Sequence, residues 1–254
     1  MSKTLRRETR YGHSYLLDGK KCPGVTTILS KGLPKPALMP WAAKEAALCA
    51  VHERHLWADM PEQSAIDWIK GAHRRNRDAA ANRGTQVHHL AEQLRDGAEV
   101  DVPAELAGHV DAYLAFLEEW RPEPIQVERV VGNRRHHYMG TFDSIERLPD
   151  GRLALLDIKT NRSGPFGEVA LQLAAYRFAE FLLDDDGNEQ PMPEVDWCGV
   201  IWVTDTGYEV YEYRCDEATF RTFLYVQQCA RFMDEAQSYK SEALPVPELL
   251  EVAS

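Results

Sequence analysis

The sequence predicts an α/β or α+β fold, in which a central mixed β-sheet is flanked by helices. The N-terminal half is dominated by segments with helical periodicity. From residue 125 onward, short segments rich in β-branched and apolar residues alternate with further helical segments. The 254 residues, 44% of them apolar and 27% charged, suffice for one sizeable globular core.

The N-terminal region is predicted to be helical after a short hairpin. Residues 11–29 are expected to form two strands, YGHSYLL and VTTIL, joined by a turn that contains Gly and Pro. Helices are expected to follow, with Gly84 ending the second of them. Their predicted ranges are residues 41–57, 62–82, 85–95 and 103–120.

The second half of the chain is predicted to build the sheet. Three consecutive strands, a strongly apolar helix, a hairpin and a last helix are expected, before an acidic tail that begins near Ser238. The strands are predicted at residues 125–132, 137–148, 152–160, 195–204 and 208–215, and the helices at 168–183 and 216–236.

Composition excludes several classes of protein. The net charge of −11 argues against a passive nucleic-acid coat, although an enzyme needs only a local basic patch. No apolar run is long enough for a membrane span, and the N-terminus lacks the apolar core of a secretory signal, so a cytoplasmic location is expected. The five scattered cysteines favour isolated thiols over a disulfide framework or a metal knuckle.

Two charged residues interrupt the apolar strand segment LLDIKT, residues 155–160. If the preceding turn is a three-residue loop at 149–151, Asp143 lies opposite Asp157, with Cβ atoms about 5 Å apart. A two-residue loop would put the two carboxylates on opposite faces. Lys159, two residues after Asp157, lies on the same face as Asp157.

Two carboxylates held this close would repel each other, and a divalent cation removes the repulsion. Oxygen ligands favour Mg²⁺ or Mn²⁺, and the carbonyl oxygen of Ile158 is a further candidate ligand. Lys159 would then stabilise the charge that develops during phosphodiester hydrolysis. The alternative interpretation of Asp157 and Lys159 is an ordinary ion pair on a surface strand.

Three further groups of polar residues are candidates for the same site. Gln172 and Tyr176 share one face of a helix, where they either border the site or are ordinary boundary residues. His88 follows Gly84 at the start of a predicted helix, although a lone histidine is more often structural. Four arginines before that helix form either a DNA-phosphate patch or a solvated face: Arg74, Arg75, Arg77 and Arg83.

Together these elements resemble the RecB-like branch of the PD-(D/E)XK nuclease superfamily, in its phage-type exonuclease form. The branch pattern reads here as Gly84-x-x-x-His88, Gly140-x-x-Asp143, Asp157-x-Lys159 and Gln172-x-x-x-Tyr176, in that order. Each motif is short, but their order and their strand–turn–strand–helix context are specific. The resemblance covers about residues 84–215.

The resemblance implies a role for each matching residue. His88, Asp143 and Asp157 would bind the metal, and Lys159 would be the catalytic lysine. Gln172 and Tyr176 would support the site, with Tyr176 also touching DNA. Thr160 would bind a DNA phosphate, and Glu128 would be an accessory acidic residue. No iron–sulfur cluster is expected, because the four-cysteine spacing that some relatives use is missing.

The resemblance further implies a restriction-endonuclease-like core at residues 84–238, with an N-terminal hairpin and helical elaboration at 1–83 packed on it and a tail at 239–254. The expected function is a metal-dependent DNA exonuclease in phage-type recombination or DNA processing, acting in the host cytoplasm if phage-encoded. A single-strand annealing or recombination protein is the implied partner, and an oligomer is compatible with the family. Two alternatives stay open: a catalytically weak DNA- or protein-binding subunit, and a structure-specific endonuclease.

Overall fold

The chain folds into a mixed α+β structure, which confirms the predicted fold class. The computed structural model describes residues 4–9, 12–95, 97–161 and 163–244, without the side chains of residues 8, 9, 88, 91, 92 and 95. The helices are α1 (Val25–Gly32), α2 (Leu38–His52), α3 (Arg54–Trp57), α4 (Glu62–Lys70), α5 (Ala72–Arg95), α6 (Ala107–Trp120), α7 (Val169–Arg177) and α8 (Glu217–Glu235).

The strands of the described residues form three sheets. The strands are β1 (Leu5–Thr9), β2 (Gly12–Leu17), β3 (Lys20–Cys22), β4 (Glu123–Val127), β5 (Val130–Asn133), β6 (Tyr138–Thr141), β7 (Ser144–Arg147), β8 (Leu153–Lys159), β9 (Phe181–Leu183), β10 (Glu189–Pro191), β11 (Trp197–Val203) and β12 (Tyr208–Tyr213). The sheets have the orders β1-β2-β3, β10-β9-β5-β6 and β12-β11-β8-β7-β4. The last sheet carries the candidate site, and its centre is β8, which runs parallel to β11 and antiparallel to β7.

Both faces of the five-stranded sheet are covered by helices. Leu155 and its neighbours on one face pack against α1, α7 and α8, in a cluster that includes Leu173 and Phe223. Leu156 on the other face packs against α6 through residues such as Phe116. Because successive strand residues point to opposite faces, β8 is apolar on both sides, as its sequence indicates.

The segment VTTIL was wrongly predicted as a strand and forms the first turns of α1. Its β-branched residues favour strands, but Val25, Ile28 and Leu29 are spaced three and four residues apart and are all buried. Fully burying one such side chain contributes about 1.5–3 kcal/mol. Packing of this helical face against α8 therefore outweighs the local preference.

The prediction that Gly84 ends a helix was also wrong. Helix α5 runs without interruption from Ala72 to Arg95, and the break lies earlier, at Gly71, which caps α4. A glycine inside a helix costs only about 1 kcal/mol relative to alanine, so it does not by itself end one. Gly84 lies where α5 passes close to β8, as described below.

Three predicted segments after residue 120 are each divided in two. Residues 125–132 bend at Glu128, whose φ of 48° separates β4 from β5. Residues 137–148 divide into β6 and β7, which belong to different sheets. The predicted helix 168–183 ends at Arg177, and its last residues form β9. Of the predicted tail, residues 245–254 lie outside the described residues.

Candidate active site

A three-residue loop joins β7 to β8, as the sequence predicted. The amide of Leu148 donates a hydrogen bond to the carbonyl oxygen of Arg152 over 2.9 Å, which closes the loop at residues 149–151. Gly151 has a φ of 89°, which a residue without Cβ adopts most readily. The hairpin therefore has the odd loop length on which the predicted register depends.

The register of this hairpin sets Asp143 and Asp157 opposite each other. Ser144 pairs with Leu156, and one further step along the two antiparallel chains reaches Asp143 and Asp157. The Ile158 amide donates a hydrogen bond to Asp143 Oδ2 over 2.7 Å. The predicted register is confirmed, and the Asp143 carboxylate is fixed against β8. A metal-binding role for the Ile158 carbonyl oxygen stays a prediction.

Asp157 is a buried carboxylate that contacts the side chains of Lys159 and Gln172. Its side chain is 3% exposed, and its Oδ2 lies 2.7 Å from Lys159 Nζ. Its Oδ1 accepts a hydrogen bond from Gln172 Nε2 over 3.0 Å. The alternative of an ordinary surface ion pair does not fit this burial. Gln172 therefore orients the Asp157 carboxylate.

Lys159 is the cation of this cluster. Burial opposes its charge, but the carboxylates of Asp157 and Asp143 outweigh burial and raise the pKa of the ammonium above its ordinary value. The Lys159 side chain is 31% exposed, so the ammonium is held by the carboxylates and still reaches the surface. Asp143, Asp157 and Lys159 therefore act on one another as a single electrostatic unit.

Tyr176 supports the site from behind. It is 2% exposed, and Gln172 Nε2 donates a hydrogen bond to its hydroxyl oxygen over 3.4 Å. A Cβ on Gly140 would lie 2.5 Å from Tyr176 Cε1, so the Gly140 and Tyr176 motifs are in direct contact. Burial and the nearby Asp157 raise the pKa of Tyr176 well above its ordinary range, which keeps the phenol neutral. The Tyr176 ring is enclosed, and its predicted contact with DNA stays a prediction.

Helix α5 reaches the site at Gly84. A Cβ on Gly84 would lie 3.1 Å from Thr160 Oγ1, at the end of the strand that carries Lys159. Thr160 is half-buried there, which leaves its predicted phosphate contact untested. His88 lies one helical turn beyond Gly84 in α5, and its side chain is outside the described residues. Its role as a metal ligand therefore stays a prediction.

The four candidate DNA-binding arginines differ in their surroundings. Arg75 donates to the Trp68 carbonyl oxygen over 2.6 Å and stacks on the Trp68 ring, so its guanidinium is used within the protein. DNA binding by Arg75 would have to displace these contacts, and it stays a prediction. Arg74 and Arg77 are exposed, with Arg77 paired to Asp78. Arg83 lines a cavity next to Thr160.

Glu128 is attached to the site through its backbone. Its amide donates to the Asp143 carbonyl oxygen over 2.7 Å, which extends the pairing of β4 with β7 by one step. Its side chain is exposed and its φ is 48°. The structure therefore gives Glu128 a place beside Asp143, and an accessory role for its carboxylate stays a prediction.

Tyr15 lies at the site although no sequence motif contains it. This residue of β2 is 4% exposed, and its hydroxyl lies 3.0 Å from Thr141 Oγ1, inside the Gly140–Asp143 motif. Its phenol also acts electrostatically on Tyr176. No local signal marks Tyr15, because only the docking of the N-terminal hairpin brings it to the motif.

The cluster fits a hard divalent cation in its donor types. Among the side chains that the structure describes, no three from His, Cys, Asp and Glu form a metal-binding group. Mg²⁺ is commonly bound by one or two carboxylates, with waters and substrate phosphates completing its octahedron. Asp143 and Asp157 supply that number of carboxylates, and Lys159 already pairs with Asp157.

Comparison with known proteins leaves the family open. No family model matches the chain, and no curated protein matches it. The crystal structure of SSO0001 is similar at 18% identity and a TM-score of 0.29, over 62% of this chain and 72% of that one, and so weak a similarity supports no conclusion. Within the described ranges, no helix has both the length and the apolar character needed to cross a membrane.

Proposed function

We propose that this chain is a divalent-metal-dependent deoxyribonuclease of the RecB-like PD-(D/E)XK type, with a restriction-endonuclease-like core. One observation carries the proposal: the buried Asp157 carboxylate holds the Lys159 ammonium at 2.7 Å, directly across the hairpin from Asp143. An unreactive protein gains little from burying such a pair, because desolvation cancels most of the attraction. A reaction on a phosphodiester uses both the carboxylates and the ammonium.

Asp143 and Asp157 would hold Mg²⁺ or Mn²⁺, with the Ile158 carbonyl oxygen and His88 as further ligands. When bound, the ion would supply Lewis-acid stabilisation of the phosphate and lower the pKa of an attacking water. Lys159, a positive charge at neutral pH, donates hydrogen bonds to the phosphate oxygens as negative charge develops on them. Gln172 keeps the Asp157 carboxylate in place through its 3.0 Å hydrogen bond.

The proposed biological role is exonuclease action in phage-type recombination or DNA processing, in the cytoplasm where its DNA substrate lies. A single-strand annealing or recombination protein is the proposed partner, and assembly of several copies is compatible with this role. A linear duplex and a covalently closed circle of the same sequence separate exonuclease from endonuclease action, because only an endonuclease cuts the circle.

The decisive test compares cleavage of linear DNA, with Mg²⁺ and with Mn²⁺, by the wild type, Lys159→Ala and Asp157→Ala. Each variant is expected to lose about a hundredfold or more in rate, the usual cost of removing a group that stabilises developing charge. Lys20→Ala, an exposed lysine of β3, is the matched control and is expected to keep full activity.

Thermal unfolding of each variant must accompany the assay, because losing one partner of a buried pair also destabilises the fold. Unchanged cleavage in both folded site variants would refute the proposal. A folded wild type that binds DNA in the presence of a chelator, and cleaves no DNA with either metal, would instead favour the binding-subunit alternative.

A further inference from the structure

A cavity of about 800 Å³ opens at the carboxyl end of β8, beyond the candidate active site. Helix α5 contributes Arg83 to its wall, α6 contributes His109, and the turn between β11 and β12 forms another side. A volume of this size is typical of pockets that enclose small organic groups. Of the candidate site residues, Thr160 and Arg83 line this cavity, and the carboxylates and the lysine of the proposed reaction do not.

The cavity lies next to the active site along the chain and across the sheet. Thr160, which lines it, directly follows Lys159 in the chain. Trp202 pairs with Lys159 in the parallel register of β11 and β8, and its Nε1 donates to the Asn161 carbonyl oxygen over 2.8 Å. That hydrogen bond fixes the chain just after Lys159. A nucleotide next to the phosphate at Lys159 would therefore meet this cavity.

The charge of the lining does not suit a run of phosphates. The lining residues that the structure describes include one arginine, Arg83, and three acidic residues, Glu105, Asp205 and Glu209. Burial lowers the pKa of His109, so this residue adds no positive charge at neutral pH. Carboxylates are acceptors only, and they pair well with the amino groups of nucleobases. Trp202 and Tyr208 add aromatic surface to the wall, which suits a flat ring.

We propose that this cavity binds one unstacked nucleobase that carries an exocyclic amino group, on the nucleotide beside the phosphate held at Lys159. The lining carboxylates accept hydrogen bonds from the amino group, and Arg83, which precedes Gly84 beside Thr160, contacts the adjoining phosphate. The inference rests on the proposed function, because it takes DNA to be the substrate. It adds a base preference that the active-site residues alone do not give.

The test measures binding of oligo(dC) and oligo(dT) of equal length by fluorescence anisotropy at mildly alkaline pH, with a chelator to prevent cleavage. The two strands carry the same phosphate charge, and cytosine has the amino group that thymine lacks. Because every nucleotide of a homopolymer carries the same base, the affinity does not depend on which nucleotide reaches the cavity. We expect the wild type to bind oligo(dC) about fivefold or more tightly, within the range for one base-edge contact.

Thr206→Trp obstructs the cavity, because Thr206 is an exposed lining residue of the β11–β12 turn. This variant is expected to bind both strands with nearly equal affinity. Thr222→Trp makes the same change at an exposed position of α8 and is expected to keep the preference. Equal binding by the wild type, or a preference that survives Thr206→Trp, would overturn the inference.

Cleavage of a linear duplex, assayed separately with Mg²⁺, distinguishes the two proposals. A preference for oligo(dC) without any cleavage would count against the nuclease function and leave the base pocket standing. Cleavage without a preference would refute the pocket alone. If the wild type binds neither strand, the base pocket is refuted, and cleavage of the duplex alone decides the nuclease function.

Discussion

Asp157 illustrates how much of the site depends on single side chains. Its two carboxylate oxygens have different partners, Lys159 on one and Gln172 on the other. The raised pKa of Lys159 also links the site to stability. Because the folded state holds this proton more tightly, the stabilisation is complete below the ordinary lysine pKa of 10.5 and is lost as the pH rises through the folded value.

Gln172→Glu should change the pH dependence of DNA cleavage while keeping a side chain of similar size beside Asp157. The new carboxylate would lie near Asp157 Oδ1, which now accepts a 3.0 Å hydrogen bond from Gln172. Like charges raise each other's pKa, so the acid limb of the pH–rate profile of DNA cleavage should move to higher pH. At a pH on this acid limb, the rate should fall about tenfold for each unit by which the pKa rises, since one pKa unit changes protonation tenfold.

Gln228→Glu is the control for the added charge, because Gln228 is exposed on α8. It should leave the pH–rate profile where it is. A Gln172→Glu enzyme with the wild-type profile would show that Gln172 does not act on Asp157.

Gly140→Ala tests the contact between two of the sequence motifs. The new Cβ would lie 2.5 Å from Tyr176 Cε1, a distance at which the ring must move. Tyr176 is enclosed, so we expect the free energy of unfolding to fall by about 1–3 kcal/mol, as for other overpacked cores, and cleavage to weaken with the displaced ring. Gly167→Ala is the matched control, since its Cβ would meet no atom within 4 Å. Equal stability of the two variants, measured by denaturant unfolding, would contradict the contact.

At the scale of elements, the hairpin that carries the site could be predicted and the helices around it only in part. Leu148 and Arg152 set the β7–β8 register through local turn chemistry, which the sequence displays. The first turns of α1 and the middle of α5 were predicted wrongly for the opposite reason. Val25 is helical because it is buried in the core that α8 helps to form. Gly84 stays within α5 because this helix continues past its contact with Thr160. Contacts between distant segments leave no local pattern to read.

Gly84→Ala should reveal the contact between α5 and the end of β8. Alanine favours the helix by about 1 kcal/mol over glycine, but its Cβ would lie 3.1 Å from Thr160 Oγ1. In the wild-type background, the helical gain and the close approach to the Thr160 hydroxyl oppose each other. In a Thr160→Ala background the hydroxyl is gone, so the same substitution should raise the free energy of unfolding by close to the full helical gain. A double-mutant cycle by urea unfolding measures the difference, and exact additivity of the two changes would contradict the contact.

The whole molecule joins the N-terminal region to the site that the later motifs build. Tyr15 of β2 reaches Thr141, α1 packs on α8, and α5 passes Thr160 at Gly84. The predicted division at residue 83 therefore cuts through α5, a continuous helix. The net charge of −11 adds a second constraint at this scale, because DNA must approach a chain that repels it on average. Approach then depends on a few local cations.

Two neighbouring arginines of α5 allow this electrostatic argument to be tested. Arg74 is exposed about 15 Å along the helix from Gly84, taking 1.5 Å per residue, whereas Arg75 is engaged with Trp68. Arg74→Ala should weaken DNA binding and reduce the slope of log K against log salt by about 1, the value for one lost phosphate contact. Arg75→Ala should leave the slope unchanged and lower the unfolding free energy, because it loses the Trp68 carbonyl and ring contacts. Binding titrations at several salt concentrations, paired with denaturant unfolding, separate the two effects. The reverse pattern would mean that DNA displaces Arg75 from Trp68 and contacts α5 at Arg75 instead of at Arg74.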